Sequence, residues 1–168
     1  PLTYATAQRT PEIVRVLLAA GADPRFADSA SGWTALHAAA GRGAVSCAIA
    51  LIKAGADVDA EHTGIESTLS PTPLLYAIRH NASLNAQRLF RVVPVLLRGG
   101  ARLDMTRIAA LPGGVPPYIA KVDAAGGWKK YEQAHRKRLA TTFAKAFPRL
   151  PVDAISHVVD FAFHVGFY

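Results

Sequence analysis

The chain has 168 residues, of which 51% are hydrophobic, and a formal net charge of +7. That length and apolar content suit one domain, or one array with a cap, and exclude a disordered polyelectrolyte. The single cysteine, Cys47, excludes an internal disulfide framework and a paired-cysteine zinc site, which favours an intracellular, cytoplasmic or nuclear setting.

Three copies of one closing motif punctuate the first two thirds. They are Gly21-Ala22-Asp23-Pro24, Gly55-Ala56-Asp57-Val58 and Gly100-Ala101-Arg102-Leu103, spaced by 34 and then 45 residues. Three copies of an opening motif precede them: Pro1-Leu2-Thr3-Tyr4-Ala5, Ala35-Leu36-His37-Ala38-Ala39 and Pro73-Leu74-Leu75-Tyr76-Ala77. Opening and closing motifs lie 21 residues apart in the first two copies and 28 in the third, which places an insertion at 82–88. A second insertion precedes Thr72, in the run 62–71. Because the chain starts inside a repeat, without methionine, it reads as part of a longer protein.

Each copy reads as helix, turn, helix and extended loop. In the first, Ile13, Val14, Leu17 and Leu18 form one helical stripe behind Pro11, and Gly21 ends the helix. In the second, Val45, Ile49 and Ile52 share a face, joined by Leu51. In the third, Val92, Val93, Val95, Leu96 and Leu97 form the apolar run, and Pro94 is expected to open a shortened helix. Helices this short bury little alone, so their stripes must stack on neighbouring repeats. Cys47, on such a stripe, reads as a small buried hydrophobe.

Beyond Asp104 the periodicity fades into the breaker cluster Leu111-Pro112-Gly113-Gly114-Val115-Pro116-Pro117. Pro117 opens a short helix, through Tyr118, Ile119 and Val122, that reads as a degenerate fourth-repeat helix. From Trp128 an amphipathic helix follows. Trp128, Tyr131, His135, Leu139, Phe143 and Ala146 fall within one arc, and Lys129, Lys130, Arg136 and Lys137 on the other side. Between 129 and 149 seven Lys or Arg face one acid, Glu132. A broken link through Pro148 and Pro151 leads into a last apolar helix, in which Ile155, Val158, Val159, Ala162 and Phe163 are expected to pack. The organisation expected is a repeat array over 1–104 (1–33, 34–71 and 72–104), a linker with a capping helix over 105–127, and a helical cap over 128–168.

Gly32 through Ala60, with its Thr-x-Leu-His opening, central glycine turn and Gly-Ala-Asp exit, resembles one complete ankyrin repeat. The resemblance implies an all-α solenoid of helix-turn-helix repeats with extended loops, acting as a non-catalytic protein-binding scaffold. It implies that His37 ties its loop to the neighbouring repeat, a duty that Thr3 and Leu75 do not share. It also implies a concave recognition face whose inner-edge pairs fall on Ala7 and Gln8, Gly41 and Arg42, and Arg79 and His80, with Trp33 and Glu61 at the loops. Gln8, Trp33, Arg42, Glu61, Arg79 and His80 are therefore the candidate partner-binding residues, and Arg42, Arg79 and His80 would form a basic strip suited to an acidic protein surface.

No phosphate loop, nucleophile elbow, His-x-x-x-His helix or close carboxylate pair is present, so no catalytic, metal or cofactor site is expected. Asp153 and His157, at i and i+4, are expected to form a surface ion pair. Lys129, Lys130, Arg136, Lys137 and Arg138 form a basic patch, read first as a solvated cap face. Nucleic acid or an anionic membrane is the alternative partner. Leu150-Pro151-Val152-Asp153-Ala154-Ile155 also resembles, over about a dozen residues, the opening of an F-box-like helix. That likeness implies an adaptor that recruits a ubiquitin-ligase core.

Overall fold

Six short helices pair into three hairpins: α1 (Leu2–Ala7) with α2 (Pro11–Ala19), α3 (Ala35–Arg42) with α4 (Val45–Lys53), and α5 (Pro73–Asn81) with α6 (Ala86–Arg98). The computed structural model describes residues 1–63, 71–81 and 86–165, the side chains of 81, 86–90 and 161–165 excepted. Of the two expected insertions, only His62, Thr63, Pro71 and the backbone of 86–88 fall among the described residues.

The hairpins stack in register. α1, α3 and α5 contact one another in sequence order, and α2, α4 and α6 form a second row behind them. Leu36, Leu51, Leu74 and Leu96 are fully buried, and Ala35, Ala38, Ala39 and Ala40 let the first row approach closely. Truncating one such leucine to alanine costs about 2–5 kcal/mol, so the inter-repeat seams carry the stability.

The three closing glycines perform one operation. Gly21, Gly55 and Gly100 take φ of 86°, 92° and 100°, a region where a Cβ is disfavoured. At each, two bonds recur: Gly21 N–H to Leu18 O with Ala22 N–H to Leu17 O, and the same pair at Gly55/Ala56 and at Gly100/Ala101. This is the paired helix stop that satisfies the last carbonyls and turns the chain into the loop. The loops are then stitched across repeats. Arg25 Nε donates to Gly55 O at 2.9 Å, and Arg102 N–H donates to Asp59 Oδ1 at 2.9 Å.

Several expectations give way to packing. Val14 is fully buried, but Ile13 is exposed, because α4 covers only one flank of α2. In α4 the buried residues are Cys47, Ala48 and Leu51, with Val45, Ile49 and Ile52 half-buried at the flanks. Cys47 is buried as expected, and burial pushes its thiol pKa up. Pro94 does not open a shortened helix: α6 runs through it. Val92, Val93, Leu96 and Leu97 are buried on both sides of the proline, and their packing holds the helix across the missing N–H.

A short helix without an expected counterpart, α7 (Met105–Ala109), continues the stack against α5. Asp104 caps it by accepting from Arg107 N–H at 3.1 Å, and Ile108 is fully buried.

The chain forms two compact units, residues 1–116 and 117–168. The second holds α8 (Pro117–Ala124), α9 (Trp128–Ala146) and α10 (Val152–Val165). α8 packs on α9, and α9 pairs with α10 around Ile155 and Val159, against Leu139, Ala140 and Phe143. Tyr118, Trp128, Tyr131 and His135 line up by ring contacts. Val158, expected in the core, is exposed, since it falls outside the face that Ile155 and Val159 turn to α9. The side chains of Ala162 and Phe163 lie outside the described residues.

Candidate functional site

Thr34 and His37 build the joint from which the site is hung. Thr34 is the N-cap of α3: its Oγ1 accepts His37 N–H at 3.3 Å, and His37 Nδ1 in return accepts Thr34 N–H at 3.3 Å. The ring's other nitrogen, Nε2, lies 3.0 Å from the carbonyl of Pro71, 34 residues away. A carbonyl can only accept, so Nε2 carries the proton and Nδ1 is the bare acceptor, also reached by the Thr34 hydroxyl at 2.9 Å. One neutral tautomer satisfies every bond. Desolvation of the fully buried ring lowers its pKa from 6.5 to about 4, and the neighbouring His62 pushes the same way, against the Pro71 carbonyl. His37 therefore does the tying that the resemblance implies, between the second repeat and the start of the third.

On that joint lies a ladder of rings. Trp33 stacks on His37 with centroids 5.2 Å apart, and meets His62 edge-on at 4.9 Å and Tyr76 edge-on at 4.8 Å. Tyr76 in turn contacts His80 at 4.1 Å. His62 is fixed from behind, where its Nδ1–H donates to Ser31 O at 2.7 Å. Edge-on aromatic contacts of this kind add about 0.5–1.5 kcal/mol each beyond area burial. Gly41 makes the ladder possible: a Cβ there would collide with the Tyr76 ring at Cε1.

Two guanidinium groups border the ladder. Burial pushes the Tyr76 phenol above its ordinary value, while Arg79 and Arg42 oppose the shift. His80 is held below its ordinary value by burial and by Arg79. Arg42 is exposed at the end of α3, with no ion pair among the described residues. The structure thus brings Trp33, Arg42, Arg79 and His80 to one surface.

The other candidates behave differently. Gln8 is exposed at the C-cap of α1, without a contact to this ladder among the described ring and polar contacts. Glu61 is engaged within the chain, its carboxylate 3.1 Å from Arg107 Nη1. Two residues of the ladder were missed in the sequence reading, Tyr76 and His62. Tyr76 left a signal, because the same position of the opening motif holds Tyr4 in the first repeat and Ala38 in the second.

In the second unit Lys129, Lys130, Lys137 and Arg138 are exposed on α9. Arg136 belongs elsewhere: it turns toward α10, 2.6 Å from Asp160 and 3.5 Å from Glu132. His157 Nδ1 is bonded to the backbone carbonyl of Asp153 at 2.7 Å, in place of the expected carboxylate pair. Leu150 and Val152 are exposed.

Among the described residues no group of three His, Cys, Asp or Glu could hold a metal, and no helix is long and apolar enough to cross a membrane. An opening of about 240 Å³ beside Arg9, Ser46 and Arg91, and another of about 430 Å³ beside Gly55 and Asp57, bring together no nucleophile–base pair.

A stacked helical array that displays an aromatic and basic face is a protein-interaction module. A family model described as ankyrin repeats, three copies, matches residues 2–106, and the chain belongs to the ankyrin-repeat family. Members of that family are typically non-catalytic. A search of curated proteins finds no match.

Proposed function

We propose that the array binds an extended acidic segment of another protein along the ladder His62, Trp33, Tyr76 and His80, with Arg42 and Arg79 facing its carboxylates. The observation that supports this reading is the ladder itself: rings in contact over two repeats, bordered by two guanidinium groups close enough to act on Tyr76. Aromatic anchors supply contact area at small entropic cost, and arginine forks match carboxylates in two-point fashion. Glu61 already has a partner within the chain, Arg107 at 3.1 Å.

Peptides selected on the immobilised chain from a random library should be rich in Asp and Glu beside an aliphatic or aromatic residue. Their affinity should fall about tenfold in Arg42→Ala and further in Trp33→Ala, with the helical content of Arg42→Ala unchanged. Ligands whose binding survives Trp33→Ala combined with Arg42→Ala and Arg79→Ala would remove this face from consideration.

A further inference from the structure

The helical pair α9–α10 carries a second surface that the repeat array leaves unexplained. Glu132, Arg136, Leu139, Ala140 and Phe143 mark the side of α9 turned to α10, through the two ion pairs of Arg136 and the core of Ile155 and Val159. At 100° per residue, Lys130, Lys137, Arg138, Thr141 and Lys145 fall on the opposite side, and all five are exposed. From Lys130 to Lys145 the stripe runs about 22 Å along the helix axis. Its cations have no ion pair among the described residues.

Where α9 ends, the surface changes character. Phe147, Leu150 and Val152 are 50%, 44% and 79% exposed, around a turn closed by Leu150 N–H to Phe147 O at 3.0 Å. Lys145 and Arg149 flank this apolar tip in sequence, and Asp153, also exposed, follows Val152. Three large apolar side chains in water at one end of a cationic stripe form a two-part surface. A polyanion such as nucleic acid would satisfy the stripe and leave Leu150 and Val152 without a counterpart. An anionic lipid surface satisfies both parts, with headgroups for the cations and the interfacial region for the tip.

From this juxtaposition we infer that the α9–α10 pair docks tip-first on anionic membrane surfaces, Phe147, Leu150 and Val152 entering the interface and Lys145 and Arg149 resting at headgroup level. Lys137, Arg138 and Lys130 extend the attraction along the stripe. The alkyl stems of the cations suit the same boundary, apolar below and charged above. This surface is separate from the ring ladder of the array and is independent of what the ladder binds.

Sedimentation of the full chain with vesicles tests it. Vesicles of phosphatidylcholine with phosphatidylserine should carry the protein down, less so as salt rises, and vesicles of phosphatidylcholine alone should not. Each cation near the surface contributes about fivefold in partitioning, so Lys145→Gln with Arg149→Gln should weaken it by about 25-fold. Leu150→Asp with Val152→Asp should lower it by about tenfold or more; both residues are exposed, so helical content and melting midpoint should hold. Trp33→Ala should leave vesicle binding unchanged. Equal binding to both vesicle types, or to neither, overturns the inference. So does binding untouched by Leu150→Asp with Val152→Asp. A duplex oligonucleotide bound more tightly than the anionic vesicles, with no response to that double variant, replaces the membrane with nucleic acid.

Discussion

Acid should loosen the joint between the second and third repeats through a single imidazole. In the folded chain the pKa of His37 is lowered from 6.5 to about 4 by burial, whereas in the unfolded chain it returns to about 6.5. Between those values the unfolded state binds a proton that the folded state refuses. Stability contributed by the neutral ring is therefore complete above about pH 6.5 and lost as the pH falls toward about 4. A separation of about 2.5 pKa units at about 1.4 kcal/mol per unit gives a loss of about 3 kcal/mol. Set against a domain stability of about 5–15 kcal/mol, that is a large share. A structural reason stands behind the figure: a proton on Nδ1 would point at Thr34 N–H, the donor that Nδ1 now accepts. The assay is urea unfolding of the full chain across this pH range, followed by circular dichroism, beside His37→Gln. The variant should begin about 1–3 kcal/mol less stable, because it leaves part of the Thr34 and Pro71 bonding unmet. Its decline across the window should nevertheless be shallower than the wild type's by about 3 kcal/mol, since carboxylates titrate in both. Parallel declines would show that the destabilising proton goes elsewhere and would refute the assignment.

Gly41→Ala tests the ladder's geometry. Replacing a helical glycine by alanine normally adds about 1 kcal/mol; here the collision with Tyr76 should turn that gain into a net loss of about 1 kcal/mol. Tyr76→Ala in the same chain should restore the gain, and a stabilised single variant would show that the ring yields freely. Pro94→Ala should raise the unfolding midpoint, because an alanine inside α6 is favoured over proline by about 3 kcal/mol, less the packing of the buried ring; a lowered midpoint in thermal unfolding would mean the ring's contacts outweigh the missing N–H.

Features governed by one stretch of chain were legible in the sequence. The Gly-Ala closing motif recurs because one local stop, with its left-handed glycine and paired carbonyl bonds, serves three helices. The helices α9 and α10 follow from the local pattern alone. What escaped depends on residues that meet only after stacking. Tyr76 belongs to the ladder because Gly41, one repeat earlier, leaves room for it. Arg107 reaches Glu61 across 46 residues and pairs with an acid that stays exposed at the loop. Arg136 looks like its cationic neighbours in sequence, and only the approach of α10, bearing Asp160, turns it into an internal tie. Pro94 was misread because local rules break a helix at proline, whereas the apolar residues around it are held by the core on both sides.

The bond from His37 Nε2 to the Pro71 carbonyl shares its direction with two other ties between repeats, while His62 Nδ1–H to Ser31 O runs the opposite way. In the His37 bond the donor belongs to the second repeat and its acceptor stands just before Thr72, which begins the third, so the tie runs toward the C-terminal side. Arg25 reaching Gly55, and Asp59 receiving Arg102, point the same way: in each, the earlier repeat offers a side chain and the later one a backbone group. Backbone groups are indifferent to sequence. A following repeat can therefore vary in composition, as the third does with Leu75 at the position of His37 and Arg102 at that of Asp57, and still be clasped by its predecessor.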